Sequence, residues 1–241
     1  MLFEVLRSSR EIDAAREELE RRRLSCLDPG WKAWIRRLGL VREVAVGDRV
    51  KSWDVLKTAQ LIERHVAKDA PVLDIGAYCS EILCVLCRLG YRALSGIDLN
   101  PELRRMPYRR SIRYDRGDFL HTGYADQSFA AITAVSVIEH GFDADALLRE
   151  TGRLLRPGGY FIASFDYWPE KISTDGIEMF GMSWRIFSAE EVQALGDQAE
   201  GHGFESPGKI TSAAGERPIS CAGRDYTFGW LVLRKGTGLP A

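Results

Sequence analysis

Three short apolar runs in this 241-residue chain each end in residues able to hold part of a nucleoside. Val72-Leu73-Asp74-Ile75-Gly76 closes on a glycine, and Ala77-Tyr78-Cys79-Ser80 leads from it toward a helix. A glycine at that point lets another molecule come close to the backbone. The second run closes on Asp98, with Leu99 beside it, 22 residues after Gly76. An acidic side chain at that interval, at the tip of a second strand, is placed to accept both hydroxyls of a ribose. The third run leads to Gly117-Asp118-Phe119, where the carboxylate can accept from an exocyclic amine while the ring covers a base. Together the three ends describe a site for adenosine: ribose on Asp98, the adenine amine on Asp118, and the rest of the ligand over Gly76.

Two later runs offer groups for proton chemistry. Ser136-Val137-Ile138-Glu139-His140 follows a fourth apolar run, and Asp166-Tyr167-Trp168 follows a fifth. His140 titrates near neutrality and is the leading general base, the alternative being that it bonds backbone and orders its loop. Asp166 is a second candidate for catalysis or for holding an acceptor. Glu139 reads as a structural partner facing the helix side. Trp184 and Arg185 precede Ser188 in a long loop, the usual place for a lid over an acceptor.

Alternating strands and helices must carry these groups. Strands are expected at Pro71 to Gly76, Tyr91 to Ile97, Ile112 to Tyr114, Phe129 to Val137 and Tyr160 to Phe165, with helices from Ser80 to Leu89 and from Asp143 to Leu155. This alternation predicts an α/β fold with a doubly wound, mostly parallel sheet, whose ligands bind beyond the carboxyl ends of the strands. Phe204 to Ile210 and Tyr226 to Leu233 read as two strands with no helix between them, pairing antiparallel at one edge. Ser188 with Glu191 forms a capping box, and so does Ser8 with Glu11. Residues 1–52 read as a helical N-terminal extension or lid, and 53–241 as the main domain. In the extension, Ile12, Ala15 and Leu19 make a narrow apolar face on a charge-laced helix that offers a contact for a second copy. Trp31, Trp34, Ile35 and Leu38 form an aromatic stripe expected to pack in the core.

The runs Val72–Gly76, Gly96-Ile97-Asp98, Gly117-Asp118-Phe119, Ser136–His140 and Leu154-Leu155-Arg156-Pro157-Gly158-Gly159-Tyr160 together resemble the class I S-adenosylmethionine-dependent methyltransferases, closest to the small-molecule branch. The segments Asp166-Tyr167-Trp168-Pro169 and Trp184–Ser188 are similar to methyltransferases of sugar and surface-polysaccharide pathways. The resemblance implies a Rossmann-like fold, S-adenosyl-L-methionine as cofactor, and a small-molecule acceptor methylated on a sugar or natural-product hydroxyl. It places Asp74, Gly76 and Ser80 near the methionine end, Asp98 with Leu99 at the ribose, Asp118 with Phe119 at the adenine, and Ser136 with Val137 beside the sulfonium. Such proteins usually carry Gly-x-Gly-x-Gly in the first turn, whereas this chain has Tyr78 and Ser80 at the later glycine positions. That departure leaves a second reading, a protein that keeps the fold as a binding or scaffold module.

Composition narrows the field. Lys and Arg number 33 against 34 Asp and Glu, giving a net charge of -1, so no overall field favours nucleic acid or an anionic membrane. No apolar run is long enough to span a bilayer, and Met1 to Arg10 is too polar for a secretory signal. Five cysteines in no framework spacing read as reduced thiols of a cytoplasmic protein. Cys84-x-x-Cys87 lacks a second pair, so no metal site is expected. A nicotinamide dehydrogenase is disfavoured because no Gly-x-Gly-x-x-Gly follows the first strand. A nucleic-acid methyltransferase is disfavoured by the absence of an Asn/Asp-Pro-Pro-aromatic clamp and a Pro-Cys nucleophile.

Overall fold

The computed structural model describes residues 2–141, 143–205 and 213–238. Five parallel strands form its centre: β2 (Val72–Ile75), β3 (Leu94–Asp98), β4 (Ile112–Arg116), β5 (Phe129–Val135) and β6 (Leu155–Tyr167). With β1 (Leu2–Val5) and β10 (Arg224–Arg234), their spatial order is β1-β10-β6-β5-β2-β3-β4. β2 is buried along its whole length and β5 nearly so, as strands covered on both faces must be. The chain builds outward from β2 through β3 to β4, then returns to lay β5 on the other side of β2. The direction of winding therefore reverses between β2 and β5, and ligands of such sheets lie above that reversal.

Helices cover both faces. Helix α1 (Ser9–Arg21), α3 (Ser52–His65) and α4 (Ile82–Arg88) pack on one face through Ile12, Leu19, Val55, Ala59, Ile62 and Val85. On the other, α5 (Ala144–Leu154) and α6 (Ala189–Gly201) bury Leu147, Leu148, Val192 and Leu195 against Phe161, Ala163 and Leu231. Helix α2 (Gly30–Arg37) lies outside both layers, and α6 opens with the full Ser188–Glu191 capping box. The box expected at Ser8 is incomplete: Ser8 makes no side-chain cap, and Glu11 accepts from the Arg7 N–H at 2.6 Å instead.

At the C-terminal side the antiparallel strand is β10, but it is not outermost. It pairs with β6 on one side and with β1 on the other, so the N-terminal strand takes the sheet edge. A short strand β9 (Ile219–Cys221) forms a hairpin with β10. The strand expected from Phe204 to Ile210 is seen only as a single bridge, Phe204 to Lys235, since residues 206–212 lie outside the described residues. A small separate hairpin, β7 (Glu178–Met179) with β8 (Met182–Ser183), stands in the loop after β6. Cys84 is buried in α4, and all five thiols are free.

Candidate active site

The turn after β2 is set by two residues in the left-handed region, Gly76 at φ +66° and Cys79 at φ +60°. Neither Tyr78 nor Ser80 adopts a positive φ, so the two missing glycines are not demanded by backbone conformation. Gly76 is demanded twice over. Besides its φ, a Cβ there would stand 2.4 Å from the Val137 Cγ2, so the tips of β2 and β5 meet at that point. Asp74 lies beneath the turn with no exposed surface. Its Oδ1 accepts from the Thr133 hydroxyl at 2.6 Å, and the Ser80 hydroxyl lies against the same carboxyl. Burial pushes its pKa up to about 7. Asp74 and Ser80 therefore support the turn from below rather than facing the cleft.

Asp98 occupies the tip of β3 and is half-buried. Its Oδ2 accepts from the Tyr78 N–H at 2.9 Å and its Oδ1 from the Asn100 N–H at 2.8 Å. Two backbone donors thus hold the carboxylate, and each oxygen keeps lone pairs for a further donor. The next tip adjoins it, because the Gly117 N–H donates to the Asp98 carbonyl at 3.0 Å. Asp118 is exposed there, its Oδ1 accepting from the Leu120 N–H at 2.8 Å. Phe119 is half-buried and Leu99 is 57 % exposed. Neither carboxylate points into the sheet, so the two acceptors at successive tips fit the hydroxyls of a ribose and the amine of a base.

Beyond β5 and β6 lies a second group of side chains. Ser136 sits at φ +53°, with its N–H donating to the Ser164 carbonyl at 2.9 Å. Its hydroxyl accepts from Lys51, whose ammonium also lies 3.8 Å from the centre of the Phe228 ring. Three buried carboxyls feel that ammonium: Asp54, Glu139 and Asp166. Asp54 accepts from the Ser164 hydroxyl at 2.8 Å, and burial pushes its pKa up to about 6. Asp166 accepts from the Trp184 indole N–H at 2.7 Å, and the Tyr226 hydroxyl faces the same carboxylate. Burial raises the pKa of Glu139 and Asp166 alike, and each raises the cost of charging in this pocket. Glu139 therefore does not face the helix side. Its carboxyl belongs to this cluster, and its Oε2 has no hydrogen-bond partner among the described residues.

His140 borders the cluster. Its N–H donates to the Val137 carbonyl at 3.1 Å, while its ring Nδ1 is buried without a partner among the described residues. Burial, and then the Lys51 charge, lower its pKa, so the imidazole is unprotonated at physiological pH and free to accept a proton. The β7–β8 hairpin folds over it: His140 bridges Trp184, and Phe180 at the hairpin tip meets the His140 ring edge-on at 5.3 Å. The segment expected as a lid is thus in contact with the candidate base. Lys51 and Asp54 had no sequence signal. A lysine after Gly47-Asp48 looks like any solvated lysine, and Asp54 looks like an ordinary first-turn acid of α3.

A family model described as a methyltransferase domain matches residues 73–163. The methyltransferase GfsG of Streptomyces halstedii is 32% identical over 111 residues, 42% of this chain and 40% of that protein. A ubiquinone biosynthesis O-methyltransferase of Xanthomonas oryzae pv. oryzae is 34% identical over 102 residues, 39% and 42% of the two chains. The chain thus spans about two fifths of the length of the curated relatives it matches. Among solved structures, a SAM-dependent methyltransferase from Methanosarcina mazei aligns with a TM-score of 0.56 at 18% identity, over 74% of this chain and 98% of the other. The Burkholderia thailandensis 1,6-didemethyltoxoflavin-N1-methyltransferase, solved with S-adenosylhomocysteine, aligns with a TM-score of 0.52 at 19% identity, over 76% and 78%.

Proposed function

We propose that this chain, whose residues 73–163 match a methyltransferase-domain model and whose fold aligns with a SAM-dependent methyltransferase, methylates a hydroxyl of a small-molecule acceptor, a sugar or a natural product. Bound S-adenosylmethionine supplies a methyl group already activated on a sulfonium. The chain's own task is then to hold donor and acceptor in line, with the acceptor oxygen about 3 Å from the methyl carbon, and to keep water out. Asp98 holds the ribose hydroxyls, with Leu99 as an apolar edge. Asp118 and Phe119 hold the adenine. Gly76, Ser136 and Val137 line the methionine end, supported by Asp74 and Ser80 below. His140 takes the acceptor proton, and Asp166 with Glu139 orients the acceptor beneath the β7–β8 hairpin. The O-methyltransferase among the relatives is compatible with a hydroxyl acceptor.

The observation that carries this reading is the Asp98 carboxylate, aimed by the Tyr78 and Asn100 N–H groups beside the Gly76 turn. Calorimetry with S-adenosylhomocysteine tests it. Asp98→Ala should weaken binding at least about a hundredfold, since two charge-assisted hydrogen bonds are lost at roughly 1.5–3 kcal/mol each. Unchanged affinity would overturn the ribose assignment. The scaffold reading keeps one observation, the replacement of turn glycines by Tyr78 and Ser80. It predicts binding without turnover, so release of S-adenosylhomocysteine with any acceptor of a hydroxylated panel excludes it.

A further inference from the structure

We propose that helix α2 docks the protein on an anionic lipid bilayer, with Trp31, Trp34, Leu38 and Leu40 entering the interface and the surrounding arginines facing the headgroups. The aromatic stripe expected in the core is turned outward. Trp31 is 66% exposed, Trp34 63%, Leu38 54% and Leu40 72%. Trp31, Trp34 and Leu38 share one helical face by their spacing. Lys32 and Arg36 lie away from that face, half-buried and paired with Asp28 of the preceding turn at 3.1 and 2.7 Å, while Ile35, at the margin of the stripe, is half-buried. A half-buried, ion-paired polar side and an open apolar side reverse the usual arrangement of a surface helix.

The surroundings say what covers that face. Arg37 and Arg42 are exposed on the same segment. The turn Pro101–Arg105 lies alongside, since Arg105 donates to the Arg42 carbonyl at 2.7 Å and the Val44 N–H donates to the Arg105 carbonyl at 2.9 Å. Arg88 shares a cleft with Lys32 and Tyr108. Arg37, Arg42 and Arg88 have no carboxylate partner among the described residues, and of the two acids in the cleft, Asp28 is already paired with Lys32 and Arg36, leaving Glu43. Indole rings favour the headgroup level, and a short helix with Trp and Leu on one face and Arg around it lies in that plane. A second copy of the chain is a poorer occupant, because an arginine-rimmed patch would meet its own like charges in a two-fold dimer. The leucines offer no plane on which a nucleic-acid base could stack.

Flotation of the whole chain with unilamellar vesicles tests the proposal independently of any methyl transfer. With phosphatidylglycerol mixed into phosphatidylcholine, the protein should float with the vesicles. With phosphatidylcholine alone, or in high salt, partitioning should fall about tenfold. Trp31→Ala/Trp34→Ala should fall by a similar factor while keeping its circular dichroism and its affinity for S-adenosylhomocysteine. Failure of the wild type to float with anionic vesicles overturns the proposal, as does equal flotation of the double variant. A dimer in sedimentation velocity that the double variant dissociates, without flotation, would assign the face to a second copy instead.

Discussion

His140 shows how an environment turns a residue type into a role. An imidazole in water is half-protonated close to neutrality. Here burial and the nearby Lys51 ammonium disfavour the charged form, so its pKa falls below 6.5. The base form then predominates at pH 7, and protonation removes it only at lower pH. The rate of S-adenosylhomocysteine release should therefore rise with pH through a limb centred below 6.5 and level off near neutrality. His140→Ala should lower turnover about a hundredfold or more and abolish that limb. A variant whose pH profile keeps the wild-type limb would assign His140 to loop ordering. The type and strand-end position of His140 were legible in the sequence. Its protonation state was not, because Lys51 lies 89 positions away along the chain and meets it only through the fold.

At the scale of elements, α1 is tied to the site by a buried ion pair. Arg16 falls on the apolar face between Ile12 and Leu19, and it has no exposed surface. Its guanidinium donates to both Glu81 oxygens, at 3.0 and 2.9 Å, and to Ser52 at 2.8 Å. Glu81 stands at the start of α4 and also accepts from the Cys26 N–H at 2.6 Å. Arg16→Met leaves that carboxylate buried and unpaired, which should cost about 3–5 kcal/mol in urea unfolding. Arg16→Met/Glu81→Leu should recover a large part of the loss. A single variant as stable as the wild type would refute the coupling. The apolar positions of α1 were legible from their spacing, as was the Ser188 cap of α6. The outward turn of α2 was not, because periodicity marks a stripe without saying which way it faces.

Across the whole molecule, the carboxyls buried at the sheet give stability a particular pH dependence. Asp74 has a pKa near 3.8 when unfolded and about 7 when folded. Below pH 4 both states hold the proton. Between pH 4 and 7 the unfolded chain releases it and the folded chain keeps it, so this group makes folding less favourable as pH rises. Asp74→Asn removes that contribution while leaving an acceptor for Thr133. The stability of the variant relative to wild type should grow between pH 4 and 7 and then level off, as followed by denaturant midpoints. A difference that is flat or falls with pH would contradict the burial of an ionisable group there.

The order of strands and helices from residue 71 to 167, the acidic residues at the strand tips, and the glycine of the first turn could be read from the chain alone. Each depends on local pattern: apolar runs buried on both faces, breaks after them, and fixed intervals between tips. Which strand lies at the edge was decided elsewhere, when Leu2–Val5 paired with the far end of the chain at Gly229–Val232. So was the gathering of Asp54, Glu139 and Asp166 around the Lys51 ammonium. Pairings across such distances depend on how the sheet and its helices pack, and no local interval in the sequence records them.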